Sequence, residues 1–257
     1  MQLSESDVVE KVNEDGRGPV LLLCEHASNH VPGELGSLGL DDAALCSHIA
    51  WDPGARAVSL ALSAALDAPL VASRISRLVY DCNRPPEAPG AMPERSETTD
   101  VPGNRGLSAA DRAARTEAVY VPFCTAVTDV ITRRKAAGLA TVLVTIHSFT
   151  PVYFGQPRAV EIGILHDTDS AIADHMLAEA HALPHRTIDR NSPYGPEDGV
   201  THSLKLHGIA HGLPNVMLEL RNDLIADAAG QAKLTEEVLT LLRPALAKIV
   251  GDVHRHA

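Results

Sequence analysis

The chain has few aromatic residues. They make up 3% of its 257 residues: one Trp, four Tyr and three Phe. Because hydrophobic residues reach 45%, the core must be built mainly from Ala, Val, Leu and Ile. This length is enough for one large α/β domain or two small ones, with a sizeable buried core.

The sequence also lacks closely spaced cysteine pairs. Its four cysteines, Cys24, Cys46, Cys82 and Cys124, include no Cys-x-x-Cys spacing. We predict that they are buried free thiols in a reducing compartment. The acidic N-terminal segment has no apolar stretch of the kind found in signal peptides, and no apolar run reaches transmembrane length. These absences predict a cytoplasmic protein.

Positive charge is in deficit as well. The formal net charge of −11 argues against nucleic acid or an anionic membrane surface as the partner. A small anionic substrate remains compatible with this charge, because a site can be locally basic in an acidic protein. The oligomeric state is left open, and a homo-oligomer is one possibility.

Apolar runs of strand length alternate with segments of helical spacing. Strands are predicted at 20–24, 68–73, 77–81, 140–151, 161–166 and within 208–223, and helices at 41–66, 107–138, 169–183 and 232–250. Asp-Pro-Gly at 52–54 divides the first helix in two. This alternation predicts a single α/β domain over 1–257, with a mainly parallel sheet and helices on both faces. Two Gly/Pro-rich segments, at about 85–106 and 190–203, are predicted to be long functional loops.

Polar side chains follow four of the predicted strands. The junctions read "LLLCEHASN", "RLVYDCNRPP", "VLVTIHSFTP" and "NVMLELRND". In α/β sheets, ligands bind beyond the carboxyl ends of the strands, so we expect these residues to share one site. Two histidines and an oxygen donor are a typical catalytic Zn²⁺ ligand set. A nearby glutamate can move protons, and arginines bind carboxylates through paired hydrogen bonds.

These junctions carry a family resemblance. "EHASNHVP", "D-x-NRPP", "IHSFTP" and "ELRND" occur in the order found in the N-formylglutamate amidohydrolase family, and the similarity runs from about Val20 to about Ile225. The chain is also more distantly similar to the zinc carboxypeptidases. The two resemblances imply a three-layer α/β/α sandwich with a mixed, mostly parallel central sheet, zinc-carboxypeptidase-like.

The resemblance assigns roles to particular residues. His26 and His147 fall on metal-ligand positions, Asn83 and Arg84 on the pair that binds the substrate carboxylate, and Glu219 on the general base.

The third metal ligand is less clear from the sequence. Asn29 stands where the carboxypeptidases have a glutamate, and an amide oxygen binds zinc more weakly than a carboxylate does. Glu25, His30 and Asp52 are the alternatives that the sequence offers for this position.

Further arginines and one tyrosine are candidate substrate contacts. Arg74 and Arg77 precede the Asn-Arg pair, and a solvated strand edge is the alternative interpretation of both. Arg221 shares a strand face with Glu219, where it would contact substrate, hold that carboxylate or form a structural salt bridge. Tyr194 lies in the second long loop, where the carboxypeptidase-like resemblance implies a tyrosine over the substrate.

Taken together, the resemblance implies metal-dependent hydrolysis of N-formyl-L-glutamate, or of a related N-acyl amino acid, to formate and glutamate. The expected cofactor is a divalent metal, with Zn²⁺ as the expected ion. Two alternatives stay open at this point. One is an amidohydrolase or peptidase of different acyl specificity, and the other is a non-catalytic binding protein that keeps the anion site.

Overall fold

Short β-branched and aliphatic runs form the central strands of the computed structural model, which describes residues 3–253. The strands, in chain order, are β1 (Val9–Val12), β2 (Val20–Cys24), β3 (Leu70–Ser73), β4 (Arg95–Ser96), β5 (Thr99–Asp100), β6 (Val142–Phe149), β7 (Val152–Tyr153), β8 (Gln156–Pro157), β9 (Ile162–Leu165), β10 (Ile188–Arg190) and β11 (Asn215–Arg221). The α-helices are α1 (Glu5–Val8), α2 (Asp42–Cys46), α3 (Ala55–Leu66), α4 (Ala109–Arg115), α5 (Val121–Ala136), α6 (Ala171–Ala178) and α7 (Ala228–Val253).

Seven strands form one mixed sheet in the order β1-β3-β2-β6-β11-β9-β10. The pairs β3–β2, β2–β6, β6–β11 and β9–β10 are parallel. The pairs β1–β3 and β11–β9 are antiparallel. This confirms the prediction of a mixed, mostly parallel sheet in an α/β protein.

Both faces of the sheet are covered. Leu22 of β2 belongs to a core packed with residues of α3, α6 and α7, whereas its neighbours Leu21 and Leu23 belong to a second core packed with residues of α5. A strand buried on both faces needs apolar side chains in both directions. This explains the unbroken apolar run at 20–24.

Two predicted helices are each divided in the structure, the first of them at the position that the sequence predicts. Asp-Pro-Gly at 52–54 separates α2 from α3. Helices α4 and α5 are joined by the π-helical turn Thr116–Tyr120, with Pro122 in the first turn of α5. Proline lacks the backbone N–H that a regular helix interior needs, so the irregular turn beside it accommodates the missing donor.

The strand predicted at 77–81 is wrong. These residues form a turn closed by the backbone N–H of Val79, which donates to the carbonyl of Ser76 at 2.9 Å. Leu78, Val79 and Tyr80 are nevertheless fully buried, in the second core. An apolar run that packs beneath a loop has the same composition as a buried strand, and the two are not distinguished by sequence pattern.

Two other expectations differ in detail. The segment 85–106 is not a plain loop, because it contains the β4–β5 hairpin and two short 3₁₀ turns, Pro89–Ala91 and Pro102–Asn104. All four cysteines are free and two of them are buried as predicted, whereas Cys46 is exposed and Cys124 is half-buried.

No helix within residues 3–253 is both long enough and apolar enough to cross a membrane.

Gly54 fixes the path of the chain between α2 and α3. Its φ is +82°, and a Cβ built there would lie 2.5 Å from the carbonyl oxygen of Ile225. A side chain is therefore excluded both by the left-handed backbone and by the close approach of the 222–225 turn. This glycine holds the residues just before it, including Asp52, against the strand ends.

We expect the variant Gly54→Ala to lower the free energy of unfolding by about 1–3 kcal/mol, because it adds backbone strain and a steric clash. Chemical denaturation of the purified protein measures this change. Gly33→Ala is the matched control, since no heavy atom among the described residues lies within 4 Å of its added Cβ. Equal stability of the two variants would contradict this account of Gly54.

Candidate active site

A polar cavity of about 530 Å³ opens at the carboxyl ends of the central strands. His147 of β6 lies opposite Glu219 of β11 in the parallel register, so both side chains project from the same face of the sheet. His26 follows β2 by two residues, and Asp52 comes from the loop before α3. All four residues line the cavity.

Three of these residues converge closely. Asp52 Oδ2 lies 3.2 Å from His26 Nδ1 and 3.0 Å from His147 Nδ1, and the two Nδ1 atoms are 3.2 Å apart. The backbone N–H of Ser148 donates to the same Asp52 oxygen at 3.1 Å. The three side chains are almost completely buried.

The outer nitrogen of each imidazole faces a further carboxylate. His26 Nε2 is 2.6 Å from Asp81 Oδ1, and His147 Nε2 is 3.3 Å from Glu25 Oε2. Each imidazole thus has a carboxylate near both of its nitrogens, Asp52 at Nδ1 and Asp81 or Glu25 at Nε2. With a cation between the two Nδ1 atoms, the outer carboxylates would keep the protons on Nε2, and each Nδ1 would offer a lone pair.

With this tautomer, the two Nδ1 atoms and Asp52 Oδ2 are three electron-pair donors that point at one another. Four-coordinate Zn²⁺, bound at about 2.0–2.1 Å, spaces its ligand atoms about 3.3 Å apart, close to the spacing of these three atoms. His26, His147 and Asp52 are therefore the described residues that fit a cation-binding cluster. The carboxylates behind the imidazoles are the outer partners that metal-binding histidines usually have.

The carboxylates around the cluster favour the protonated, charged form of both histidines. Burial and the Arg77 charge act to lower the pKa of His26, but Asp81 and Asp52 outweigh them and raise it. Burial likewise opposes the charged form of His147, yet Glu25 and Asp52 raise its pKa well above the ordinary value. In a metal-free protein, protons would therefore compete for the nitrogens that suit a cation.

Arg77 ties the acidic residues together. Its guanidinium donates to Asp52 Oδ1 at 3.3 Å and to Asp81 Oδ2 at 2.8 Å. Burial opposes ionisation of Asp81, but the charges of His26 and Arg77 hold its pKa well below the usual range. Arg77 lines the cavity, but two of its donors are committed to these carboxylates, and its role as a substrate contact stays a prediction from the sequence.

Glu219 lies beside the cluster, and its pKa is raised, whereas that of Asp81 is lowered. It is 5% exposed, and its Oε2 atom has no hydrogen-bond partner within the described chain. Burial raises the pKa of Glu219 to about 7, and the nearby Asp52 charge adds to this effect while His147 and Arg77 oppose it. A carboxyl group with a pKa near neutrality is suited to take up and release a proton.

The Asn83–Arg84 pair lies at the rim of the cavity. The Asn83 side chain donates to the carbonyl of Val200 at 2.6 Å and accepts from the N–H of Ser203 at 2.9 Å, so both of its polar atoms hold the loop that follows Tyr194. Arg84 lines the cavity and makes one hydrogen bond, from Nη1 to the Asn83 carbonyl at 2.9 Å. Arg84 also lines a neighbouring smaller cavity, and within the described chain its other donors have no hydrogen-bond partner.

Tyr194 also lines the cavity, where its ring contacts Arg158, a residue in none of the sequence motifs. This residue, Arg158, follows the β7–β8 hairpin. No sequence signal identified it, because it comes from a short hairpin and not from the end of a sheet strand. Burial raises the pKa of the Tyr194 hydroxyl to about 12, with Glu219 adding to the shift and Arg158 opposing it.

Two of the predicted residues are not among those that line the cavity. Asn29 donates its side-chain amide to the carbonyl of Leu45 at 2.9 Å, and Asp52 supplies the oxygen between the two imidazoles. Arg221 forms a structural ion pair with Asp223, with Nε 2.8 Å from Oδ1. The role of Asn29 as a ligand and that of Arg221 as a substrate contact stay predictions from the sequence.

Three remaining candidates also lie outside the space between the two imidazoles. His30 and Arg74 line a different cavity. Glu25, another alternative for the third ligand, stands behind His147 and not between the imidazoles.

The fold and the cavity place the chain among α/β proteins with a polar site at the carboxyl ends of sheet strands. The family model of N-formylglutamate amidohydrolase matches residues 18–226. The chain therefore belongs to the N-formylglutamate amidohydrolase family, whose name describes hydrolases that act on an amide.

Two solved structures are similar to this chain. The gene product Atu2144 from Agrobacterium tumefaciens is 55% identical, with 96% of this chain and 98% of that chain covered and a TM-score of 0.93. N-formylglutamate amidohydrolase from Ralstonia eutropha JMP134 is 19% identical, with 95% of this chain and 99% of that chain covered and a TM-score of 0.69, a likeness that shows the fold. A comparison with curated proteins gives no match. Similarity to the zinc carboxypeptidases stays a prediction from the sequence.

Zinc titration tests whether Asp52 or Asn29 supplies the third metal ligand. We expect the wild-type protein to bind about one Zn²⁺ per chain, Asp52→Ala to lose at least about tenfold in affinity, and Asn29→Ala to keep wild-type affinity. The physical reason is that, among residues 3–253, Asp52 is the one that places a charged oxygen between the two imidazoles. Titration of chelator-treated protein with Zn²⁺ measures the affinities. A large loss in Asn29→Ala with none in Asp52→Ala would reverse the assignment.

Proposed function

We propose that this protein hydrolyses N-formyl-L-glutamate to formate and L-glutamate with the help of a divalent metal. The observation that carries the proposal is the convergence of His26, His147 and Asp52 beside Glu219, in a cavity that also contains Arg84. Membership of the family supports the amide substrate and the formyl group. The reaction would take place in the cytoplasm, within a single amidohydrolase domain.

His26 and His147 would hold the metal through Nδ1, and Asp52 through Oδ2, because these atoms already lie 3.0–3.2 Å from one another. We expect Zn²⁺, since nitrogen and carboxylate ligands at this spacing suit a tetrahedral ion with a fourth position open. When bound, such an ion lowers the pKa of water and polarises the carbonyl group of the substrate.

Glu219 would act as the proton carrier. Its carboxylate accepts a proton from the attacking water and then delivers that proton to the nitrogen that leaves as the amine of glutamate. A pKa raised toward 7 by burial lets the same group act first as a base and then as an acid. Its unpartnered Oε2 atom, noted above, leaves one oxygen free for this exchange.

Arg84 would bind a substrate carboxylate. The guanidinium lines the cavity and uses one donor on the neighbouring Asn83 carbonyl, so the remaining donors suit a carboxylate in the paired geometry that arginine prefers. Asn83 contributes indirectly by holding the loop that follows Tyr194, since both of its polar side-chain atoms bond that loop.

An amidohydrolase of different acyl specificity is the second candidate. The cavity volume of about 530 Å³ lies in the range of pockets that accept molecules much larger than a formyl amino acid. The non-catalytic alternative loses its main support, because it depended on Asn29 as a weak third ligand and Asp52 offers a carboxylate in that place.

The first test is an assay of purified protein on N-formyl-L-glutamate. We expect formate release that a chelator abolishes and that added Zn²⁺ restores, because the imidazole–carboxylate cluster suits a cation. A panel of other N-acyl amino acids under the same conditions distinguishes the second candidate. Full activity in metal-free protein would remove the metal from the proposal, and inactivity toward every N-acyl amino acid would refute it.

The second test is the variant Glu219→Gln. We expect kcat to fall by about 10²-fold or more, with Zn²⁺ affinity and substrate binding close to those of the wild type, because the amide keeps the shape but cannot accept the proton. Steady-state kinetics and metal titration measure the two effects. Glu236→Gln, on the exposed side of α7, is the matched control. Unchanged turnover in Glu219→Gln would exclude the assigned role.

A further inference from the structure

Arg158 is held in an aromatic enclosure at the edge of the cavity. Its guanidinium carbon lies 4.3 Å from the centre of the Tyr153 ring, 4.7 Å from that of Tyr194 and 5.6 Å from that of Phe149. Arginine stacks well on aromatic faces, because its planar charge is weakly hydrated and interacts with the negative face of the ring. The three rings therefore hold the orientation of the guanidinium before any ligand binds.

The Nη1 atom of Arg158 is unsatisfied. It is buried and has no hydrogen-bond partner among the residues that the structure describes. A buried donor without an acceptor is unfavourable, and more so when the group is charged. Arg158 lines the same cavity as Glu219 and Arg84, so a carboxylate bound in the cavity would lie near this guanidinium.

The backbone of Arg158 is fixed as well. Arg221 donates from Nη1 to the Arg158 carbonyl at 3.2 Å, while its Nε binds Asp223 at 2.8 Å. Arg221 therefore connects the end of β11, which carries Glu219, with the segment that carries Arg158. The sequence predicts Arg221 as a substrate contact, whereas its contacts in the structure suit a residue that positions Arg158.

Competing cations in the cavity are already paired. Arg77 is bound by Asp52 and Asp81. Within the described chain, this leaves Arg84 and Arg158 as the arginines that line the cavity with a guanidinium not bound by a protein carboxylate. Two such groups at one cavity match a ligand with two carboxylates.

We propose that Arg158, enclosed by Tyr153 and Tyr194, binds the side-chain carboxylate of the substrate and so selects N-acyl derivatives of acidic amino acids. Arg84 then binds the α-carboxylate that all N-acyl amino acids share, as the resemblance of the Asn83–Arg84 pair implies. This inference rests on the proposed function, because it names the determinant of the substrate class for the same site. The paired hydrogen bonds of a guanidinium with a carboxylate supply the selectivity, since a neutral side chain leaves the buried charge unmatched.

The test compares N-formyl-L-glutamate with N-formyl-L-glutamine, which has the same shape and a neutral side chain. For Arg158→Met, we expect kcat/KM for the glutamate derivative to fall about 30- to 100-fold and that for the glutamine derivative to change less than about threefold. For Arg84→Met, we expect both values to fall by similar factors, because both substrates have the α-carboxylate. Arg17→Met, at an exposed position away from the cavity, should match the wild type with both substrates.

Arg158→Lys keeps the charge but loses the planar paired donors, so we expect an intermediate loss of selectivity of about tenfold. If Arg158→Met does not fold, Arg158→Lys tests the assignment in its place. The assignment would be overturned if both variants kept the wild-type preference for the glutamate derivative over the glutamine derivative. It would also be overturned if Arg158→Met lowered kcat/KM equally for the two substrates.

A binding measurement separates this inference from the proposed function. Calorimetry with glutarate, a dicarboxylate with no amide bond, should give binding to the wild type that weakens at least about tenfold in Arg158→Met. If the wild type hydrolyses no N-formyl amino acid but binds glutarate through Arg158, the anion site stands and the proposed function fails. If the wild type hydrolyses N-formyl-L-glutamate and Arg158→Met does so equally well, the function stands and the inference about Arg158 fails.

Discussion

The architecture of the site depends on one buried carboxylate. Asp52 lies between the two imidazole Nδ1 atoms, accepts the Ser148 backbone N–H and binds Arg77 through its other oxygen. A charge at this depth is stable only when it is paired and hydrogen-bonded. Asp52 therefore links the end of β2, the end of β6 and the turn at 77–81 into one cluster, and Gly54 allows the chain to approach closely enough for this.

Positive charge, which is outnumbered in the chain as a whole, and aromatic rings, which are scarce in it, both occur at this cavity. The formal net charge is −11, yet as many arginines as acidic residues line the cavity, namely Arg77, Arg84 and Arg158. Aromatic residues make up 3% of the chain, and three of them enclose the guanidinium of Arg158. Such local enrichment against the overall composition is what a site for a small anion requires, because the long-range charge of a protein does not determine the field inside a cavity.

Prediction from the sequence succeeded where local pattern and tertiary structure agree. The apolar run at 20–24 is a strand because both faces of the sheet are covered, and His147 and Glu219 meet because parallel strands bring equivalent positions side by side. It failed at 77–81, where a turn lies over the core and its apolar residues imitate a strand. Arg158 was missed because a two-residue hairpin strand has no periodicity that would place its neighbours near a site.

The sequence by itself determined the α/β class, the family and the two imidazoles, since these follow from periodicity, motif order and residue type. Only the tertiary structure decided which oxygen stands between the imidazoles and which arginines have donors left for a ligand. Those choices depend on distances between segments far apart in the chain: 95 positions separate Asp52 from His147, and 63 separate Arg158 from Arg221. Asn29 and Arg74 are the same residue types as Asn83 and Arg84, which line the cavity, but their loops carry them elsewhere. No local sequence pattern encodes this difference.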